Sequence, residues 1–224
     1  MLNDNRIRII IGHYGSGKTE FSVNYAVKLA EEGKKVALAD LDVVNLYFRS
    51  REKAEILEAM GIRVIGGAIK GSGVDLPAIT GEVLTPLQDK SYEAVLDVGG
   101  NPQGARTLGR YHSYFEEGEY DMFFVLNANR PETGTVEQAI EYIVKIQDVA
   151  RAKVTGIINN THLLKSTTVE DVMKGYNLAK EVSKETGLPI KYNVCLETLV
   201  DKLPEELGDN VFPINLYMRD EWML

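Results

Sequence analysis

Three stretches of the sequence carry residues whose types and spacing could do chemistry, and the first is GHYGSGKT at residues 12–19. It lies between the run Ile7–Ile11, which is apolar except for one arginine, and a helical pattern that begins at Lys18. Its spacing fits G-x-x-x-x-G-K-[ST] at every fixed position. Glycines in such a turn let successive backbone N–H groups point at one anion, and the following helix adds its positive end. We therefore predict a phosphate-binding loop (P-loop).

Two residues of this loop have separate predicted roles. Lys18 would reach the β- and γ-phosphates of a nucleotide in a catalytic role, and the Thr19 hydroxyl would ligate Mg²⁺. The alternative is a chance glycine-rich turn in an α/β protein, which the strand before the loop and the helix after it disfavour. The residues predicted here to bind nucleotide are Gly12, His13, Tyr14, Gly15, Ser16, Gly17, Lys18, Thr19 and Glu20.

Acidic residues end two later apolar runs. Asp97 precedes Gly99 and Gly100, so we predict that it holds Mg²⁺ through water; the alternative is that it only caps the next helix. Asp40 and Asp42 end the run VALADLD, where a spacing of two on an extended chain points both side chains to one face. We predict that Asp40 approaches the metal and that Asp42 orients or deprotonates the attacking water.

These residues need a scaffold of alternating strands and helices. Short β-branched runs alternate with longer amphipathic segments, which is typical of a parallel sheet covered on both faces. The predicted strands are Arg6–Ile11, Lys35–Leu41, Arg63–Ile65, Ala94–Val98, Met122–Leu126, Lys153–Asn159 and Ile190–Val194. The predicted helices are Lys18–Glu32, Arg51–Met60, Leu76–Asp89, Gln103–Glu117, Val136–Ala150 and Val169–Thr186.

The fold class that follows is α/β, a three-layer α/β/α arrangement with a mostly parallel central sheet of about seven strands. Together with the predicted P-loop, this arrangement predicts the P-loop nucleoside-triphosphatase fold. At 224 residues, the chain is predicted to form one domain over 1–224. Its last part, 199–224, is less regular and is predicted to add a short edge element around Val211–Leu216.

Composition disfavours several classes of function. The formal net charge is −8 and the basic residues are dispersed, so neither nucleic acid nor an anionic membrane is an expected partner. No signal-peptide layout or long apolar run is present, and a cytoplasmic location is expected. The single cysteine, Cys195, is expected to be buried and disfavours an iron–sulfur cluster. The histidines lack metal-ligand spacing and are expected in loops or at the surface: His13, His112 and His162.

The P-loop, the Asp40–Asp42 pair and the segment Asp97–Gly100 together resemble the MinD/ParA/CobQ-type P-loop ATPases of the SIMIBI class. The resemblance spans roughly residues 6 to 195. It implies ATP and Mg²⁺ as cofactors. It also implies that Asp40 supports the metal and that Asp42 positions the hydrolytic water.

The resemblance further implies that the segment GIINN, residues 156–160, ends in an asparagine that reads the base. Asn160 matches better by count and Asn159 is the second candidate; the alternative is that both only satisfy a loop. Guanine-reading loops carry an Asn/Thr-Lys-x-Asp run, whereas this chain continues Asn159-Asn160-Thr161-His162. ATP is therefore favoured over GTP.

One departure from the family concerns activation by a second subunit. Members that dimerise across the nucleotide carry a second lysine where this chain has His13, and a neutral imidazole lacks the permanent charge of a lysine. A homodimer remains an expectation of the resemblance, but activation by a partner's lysine is disfavoured. Arg49 and Lys70 are candidates for supplying charge, and each is equally consistent with a solvated cation.

The leading hypothesis is a Mg²⁺-dependent ATPase with slow turnover, whose nucleotide state toggles the segments Asp40–Arg49 and Asp97–Ala105 and so controls an unidentified protein partner. One alternative is a small-molecule ligase or kinase of the dethiobiotin-synthetase type. Another is a nucleotide-binding regulatory module that does not hydrolyse its ligand.

Overall fold

Apolar runs form one eight-stranded sheet in the computed structural model, which describes residues 2–42, 50–66 and 81–219. The strands are β1 (Ile7–Ile11), β2 (Val36–Leu41), β3 (Ile62–Gly66), β4 (Glu93–Val98), β5 (Tyr120–Leu126), β6 (Gly156–Asn159), β7 (Ile190–Leu196) and β8 (Val211–Ile214). Their order is β3-β2-β4-β1-β5-β6-β7-β8, and every neighbouring pair is parallel. Strands β1, β2, β5 and β6 are buried at every residue, as expected for parallel strands covered on both faces.

Helices cover both faces of this sheet. They are α1 (Lys18–Glu31), α2 (Ala54–Ala59), α3 (Leu84–Gln88), α4 (Pro102–Ala105), α5 (Val136–Ala150) and α6 (Val169–Thr186). On one face, α1 and α2 pack against Ile10, Leu38 and Phe123. On the other face, α3 to α6 pack against Ile9 and Leu96 and their neighbours. This confirms the predicted three-layer α/β/α fold.

The strand order decides where a ligand can bind. The chain leaves the central strand β1 toward β2 and β3 on one side, and later elements extend the sheet on the other side through β5 to β8. In the ladders, Asp97 of β4 is paired with both Ile10 of β1 and Asp40 of β2. The carboxyl ends of three strands therefore meet where the strand order reverses, which is the usual ligand site of an open α/β sheet.

Several predicted helices are shorter in the structure. The segment predicted as one helix over Gln103–Glu117 is helical only over the last three residues of α4, and 3₁₀ turns follow at Leu108–Arg110 and His112–Tyr114. Part of the physical reason is Gly104, where an added Cβ would stand 2.8 Å from the Gly99 Cα, so this stretch follows the contour of the β4 loop. The described part of the predicted helix Leu76–Asp89 consists of a 3₁₀ turn and α3, and Arg51–Met60 is a 3₁₀ turn followed by α2.

The seven predicted strands are all present, and the C-terminal region adds an eighth. Two 3₁₀ segments, Glu197–Lys202 and Glu205–Asn210, connect β7 to β8 at the sheet edge. Pro213 lies within β8, and an edge strand tolerates the missing N–H. The predicted assignment of residues 1–224 to one domain stays a prediction. No helix in the described ranges is long and apolar enough to cross a membrane.

A cluster of buried polar side chains lies at the amino ends of the strands. This is the opposite edge of the sheet from the carboxyl ends where a ligand can bind. The side chain of Asp4 is 2% exposed, accepts hydrogen bonds from Tyr25 Oη (2.6 Å) and Tyr192 Oη, and pairs with Lys191 Nζ at 2.7 Å. Burial opposes ionisation of Asp4, but the bonds from Lys191, Tyr192 and Tyr25 outweigh it and lower its pKa. Beside it, the buried Arg8 pairs with Glu93.

The lowered pKa of Asp4 predicts a component of acid lability. A carboxyl group with a lower pKa in the folded state adds stability above its unfolded pKa of about 4, and this stability is lost as the pH falls through the folded pKa. Asp4→Asn should therefore unfold more easily at neutral pH and lose less stability on acidification than wild type. Urea unfolding between pH 7 and pH 3 measures this. The exposed control Asp201→Asn should behave like wild type, and a wild-type pH slope in Asp4→Asn would contradict the assignment.

Candidate functional site

The loop between β1 and α1 is shaped by glycines whose conformation and surroundings exclude side chains. Gly15 and Gly17 have φ angles of 73° and 83°, in the left-handed region that favours glycine. A Cβ on Gly12 would stand 2.5 Å from the carbonyl oxygen of Val125, and a Cβ on Gly17 would collide with Asn160 Nδ2. The loop is therefore held closely against the ends of β5 and β6, and α1 begins directly behind it.

Lys18 lies at the bottom of this loop and is 7% exposed. Its Nζ donates to the carbonyl oxygen of His13 at 3.2 Å, a bond from one end of the loop to the other. Burial lowers the pKa of Lys18, and the negative charges of Asp97 and Asp42 act in the opposite direction. A buried cation that lies between carboxylates and a curled backbone favours a particular kind of ligand, an anionic group with a cation bound to it.

Asp97 and Asp40 lie side by side at the ends of β4 and β2. Asp97 is 2% exposed, and its carboxylate accepts hydrogen bonds from the hydroxyls of Thr19 and of Ser22, the latter at 3.4 Å. Burial, followed by the negative charge of Asp40, raises the pKa of Asp97 to about 7. Asp40 Oδ1 accepts from the backbone N–H of Asp42 at 3.0 Å, which fixes the turn after β2. The structure thus brings together the three predicted metal-site residues, Thr19, Asp40 and Asp97.

These residues fit Mg²⁺ only in company with a ligand. No group of three or more His, Cys, Asp or Glu side chains within the described ranges is arranged to hold a metal by itself. Mg²⁺ usually keeps several waters and binds through one or two protein oxygens plus phosphate oxygens. The neighbouring carboxylates and the threonine hydroxyl would supply the protein oxygens, and a phosphate bound in the P-loop would supply the others.

Asp42 and the glycines after β4 close the other side of the loop. A Cβ on Gly99 would stand 2.9 Å from Asp42 Oδ1, and a Cβ on Gly100 would stand 2.8 Å from both Lys18 Nζ and the Tyr14 nitrogen. Tyr142 Oη of α5 donates to the carbonyl oxygen of Gly100 at 2.6 Å. The segment after β4 therefore rests directly on the P-loop and is tied to α5.

A cavity of about 420 Å³ extends from the P-loop toward the ends of β6, β7 and β8. Its P-loop end is polar, and its far end is largely apolar. Residues of the far end include Leu163, Leu164, Cys195, Leu196 and Met218. Cys195 is buried, as predicted, and burial raises its pKa to about 11, so it is an inert wall residue.

The two base-reading candidates occupy different environments. Asn160 lines the cavity, and its Nδ2 donates to the carbonyl oxygen of Ser16 at 2.8 Å. Asn159 Nδ2 instead donates to the carbonyl oxygen of Val172 and to Asn193 Oδ1, which ties β6 to α6 and β7. The geometry places Asn160, and not Asn159, beside the loop.

Glu20 lines the cavity but already has backbone partners. Its carboxylate accepts from the N–H groups of Tyr217 (2.6 Å) and Met218 (3.3 Å). One turn later, Asn24 exchanges two hydrogen bonds with the backbone of Asn215. The C-terminal segment 215–218 is thereby fastened along α1 at the cavity rim, a role for Glu20 that the loop motif did not indicate.

Two further cavity residues were not predicted. His162 lies in the loop after β6, as expected, and it also lines the cavity. Burial lowers its pKa to about 4, and its buried Nε2 has no partner within the described ranges. Arg130, in the loop after β5, donates from Nε to the carbonyl oxygen of Gly15 at 2.8 Å. The sequence feature that could have indicated Arg130 was its position just after the predicted strand Met122–Leu126. Arg49 and Lys70 lie outside the described residues.

The crowding at Gly17 predicts a specific defect. In Gly17→Ala, the added methyl group would displace Asn160 and His162 and strain the backbone, so we expect nucleotide affinity to fall by at least about tenfold. Gly33→Ala is the matched control, because its φ of 76° is also left-handed but nothing lies within 4 Å of the added Cβ. Fluorescent-nucleotide titration and thermal unfolding of both variants separate the two effects. Equal affinities in the two variants would contradict the close packing of loop and Asn160.

Comparison with known protein families gives a matching profile. The profile of the CobQ/CobB/MinD/ParA nucleotide binding domain matches residues 7–200. No curated protein matches the chain.

Solved structures agree with the fold. The chain is similar to the cell division protein FtsY of Thermotoga maritima, with 24% identity, a TM-score of 0.57, and coverage of 85% of this chain and 62% of that chain. It is also similar to chloroplast FtsY from Physcomitrella patens (19% identity, TM-score 0.56, 85% and 59% covered). A third structure is the signal recognition particle receptor FtsY from Elizabethkingia anophelis in complex with GDP (18% identity, TM-score 0.55, 86% and 58% covered).

At these identities the likeness to FtsY concerns the fold alone, and this chain spans about three fifths of the length of those chains. The family profile, in contrast, matches most of the chain, and it confirms the resemblance found in the P-loop and the strand-end aspartates. The chain therefore belongs to the CobQ/CobB/MinD/ParA nucleotide-binding domain family.

Proposed function

We propose that this protein binds Mg-ATP, hydrolyses it slowly, and uses the change of nucleotide state to control a protein partner. The observation that carries the proposal is the meeting of Lys18 with Thr19, Asp40 and Asp97 at one edge of the sheet. Each of these groups has a distinct use in phosphate and metal binding.

Phosphate binding would replace bonds that the loop now makes with itself. A β- or γ-phosphate oxygen would take the place of the His13 carbonyl as acceptor for Lys18 Nζ, now 3.2 Å from that carbonyl. The buried Ser16 Oγ has no hydrogen-bond partner within the described ranges, so the loop has polar capacity left for a ligand. Thr19 would ligate Mg²⁺ directly, and Asp97 would hold it through water beside Asp40.

Asp42 is the residue we assign to the attacking water. It follows β2 at the same edge and contacts Gly99, next to the place where Gly100 covers Lys18. A carboxylate there would orient a water molecule or accept its proton while Lys18 and Mg²⁺ stabilise the charge on the transferred phosphoryl group. Slow turnover is part of the proposal, because Lys18 is the one permanent cation among the described residues that it assigns to the γ-phosphate.

Gly99 and Gly100 support the switching part of the proposal. Their backbone lies against Asp42, Lys18 and Tyr14, so a γ-phosphate near Lys18 would compete for the same space. Displacement of Gly100 would also alter its hydrogen bond with Tyr142 on α5. A local change at the phosphate would thereby reach the protein surface.

ATP is preferred in this proposal because of the loop after β6. Asn160 is bonded to the P-loop, and counting from it the lysine and aspartate of a guanine-reading run would fall at Thr161 and Leu163. Leu163 has no carboxylate to accept from the guanine amino group. The likeness to the FtsY structure with GDP concerns the fold and not the base.

The test compares binding and phosphate release with Mg-ATP and Mg-GTP. Wild type should bind ATP more tightly than GTP and release phosphate slowly. Lys18→Ala should lose ATP binding, and Asp42→Asn should keep ATP binding but lose at least about tenfold in phosphate release, because it retains the phosphate and metal groups. The exposed control Lys34→Ala should match wild type.

Other outcomes of this experiment would reject parts of the proposal. Unaltered ATP binding in Lys18→Ala would reject the P-loop role. Tighter binding of GTP would reverse the choice of base. Phosphate release that depends on an added metabolite would favour the small-molecule ligase or kinase instead.

A further inference from the structure

Arg130 lies where it could touch a nucleotide, although no sequence motif points to it. It follows β5, is partly buried, and lines the same cavity as Gly17, Lys18 and Asn160. Its Nε donates to the carbonyl oxygen of Gly15 at 2.8 Å, so one end of the guanidinium is anchored to the P-loop.

The guanidinium lies flat on the loop. From the point where a Cβ on Gly15 would stand, the distances to Arg130 Cζ, Nε and Nη2 are 2.9, 3.0 and 3.1 Å. Three atoms of a planar group at nearly equal distance from one point mean that the plane faces that point. One face of the guanidinium therefore covers Gly15, and any side chain at position 15 would displace it.

The rest of the group is free to bind a ligand. Within the described ranges the Arg130 side chain forms no ion pair, and its only hydrogen bond is the one from Nε. A guanidinium carries five N–H donors and a weakly hydrated planar surface that stacks well on aromatic rings. A partly buried arginine with one anchored donor is therefore preorganised for a further contact.

Its neighbours show which end of a nucleotide it would meet. The charge of Arg130 reaches His162, beside Asn160, and helps burial to keep that imidazole neutral. The cavity that Arg130 lines is also lined by Asn160 and His162, whereas Asp40 and Asp97, at the predicted metal end, are not among its described lining residues. Arg130 thus lies on the Asn160 side of the P-loop, away from the predicted γ-phosphate position.

We propose that Arg130 binds the nucleoside end of the nucleotide by stacking its guanidinium on the base, while Nε stays bonded to Gly15. This rests on the proposed nucleotide binding. A stacking contact uses the face of the base and not its edge, so it adds affinity for adenine and guanine alike. Choice between the bases would remain with the loop Asn160–Leu163.

The experiment measures the affinities of wild type and variants for Mg-ATP, Mg-GTP and inorganic tripolyphosphate, which has no nucleoside. Arg130→Gln should weaken both nucleotides by a similar factor of about ten and leave tripolyphosphate within about twofold. Arg130→Lys should resemble Arg130→Gln for ATP, because an ammonium keeps the charge but not the plane. The exposed Arg110→Gln is the control, and thermal unfolding checks that each variant is folded.

The outcomes separate this inference from the proposed function. Equal weakening of ATP and tripolyphosphate in Arg130→Gln, full ATP affinity in Arg130→Lys, or wild-type affinities throughout would each overturn the stacking role. In all three cases nucleotide binding by wild type would stand. Failure of wild type to bind ATP or tripolyphosphate, or no effect of Lys18→Ala on either, would instead reject the proposed function and the Arg130 role with it.

Discussion

The burial of one charge, that of Lys18, constrains the rest of this structure. A lysine that is 7% exposed needs opposite charge nearby, because an unpaired charge out of water costs several kcal/mol. Asp97 and Asp42 provide it from two other strands, and the order β2-β4-β1 is what brings those strand ends to the loop. Burial raises the pKa of Asp97, and repulsion from the Asp40 carboxylate adds to this effect. The site is balanced for a ligand that is anionic toward Lys18 and carries a cation toward Asp97.

Close backbone contacts surround these charges. Gly104 rests on Gly99, Gly99 on Asp42, and Gly100 on Lys18 and Tyr14, so these three glycine positions have no room for side chains. The same segment is bonded to α5 through Tyr142. At the far end of the cavity, Glu20 fastens the C-terminal segment to α1. The cavity is thus bordered by contacts to α5 and to the C-terminal segment, which is the physical basis for proposing a nucleotide-dependent switch.

Local sequence was informative where local chemistry decides the structure. The P-loop spacing, the strand-end aspartates and the β-branched runs each express a constraint within about ten residues, and they predicted the fold class and the strands that hold the site. The single long helix predicted over Gln103–Glu117 was wrong, because the contact of Gly104 with Gly99 is set by the tertiary structure and not by helix periodicity.

The contributions of Glu20, His162 and Arg130 were also beyond local reasoning. Arg130 is 115 residues from its partner Gly15, and Glu20 is 197 residues from Tyr217. Partners that lie so far apart form no local pattern in the sequence, so neither pairing could be predicted from it. His162 became a cavity residue because β6 ends beside the loop.

The most direct test of the central claim is calorimetric titration of ATP with and without Mg²⁺, for wild type and Asp97→Asn. If the buried carboxylates serve a cation that arrives with the nucleotide, Mg²⁺ should raise the affinity of wild type by at least about tenfold and that of Asp97→Asn by less than about threefold. An affinity of wild type that does not depend on Mg²⁺, or an equal gain in the two proteins, would contradict the account.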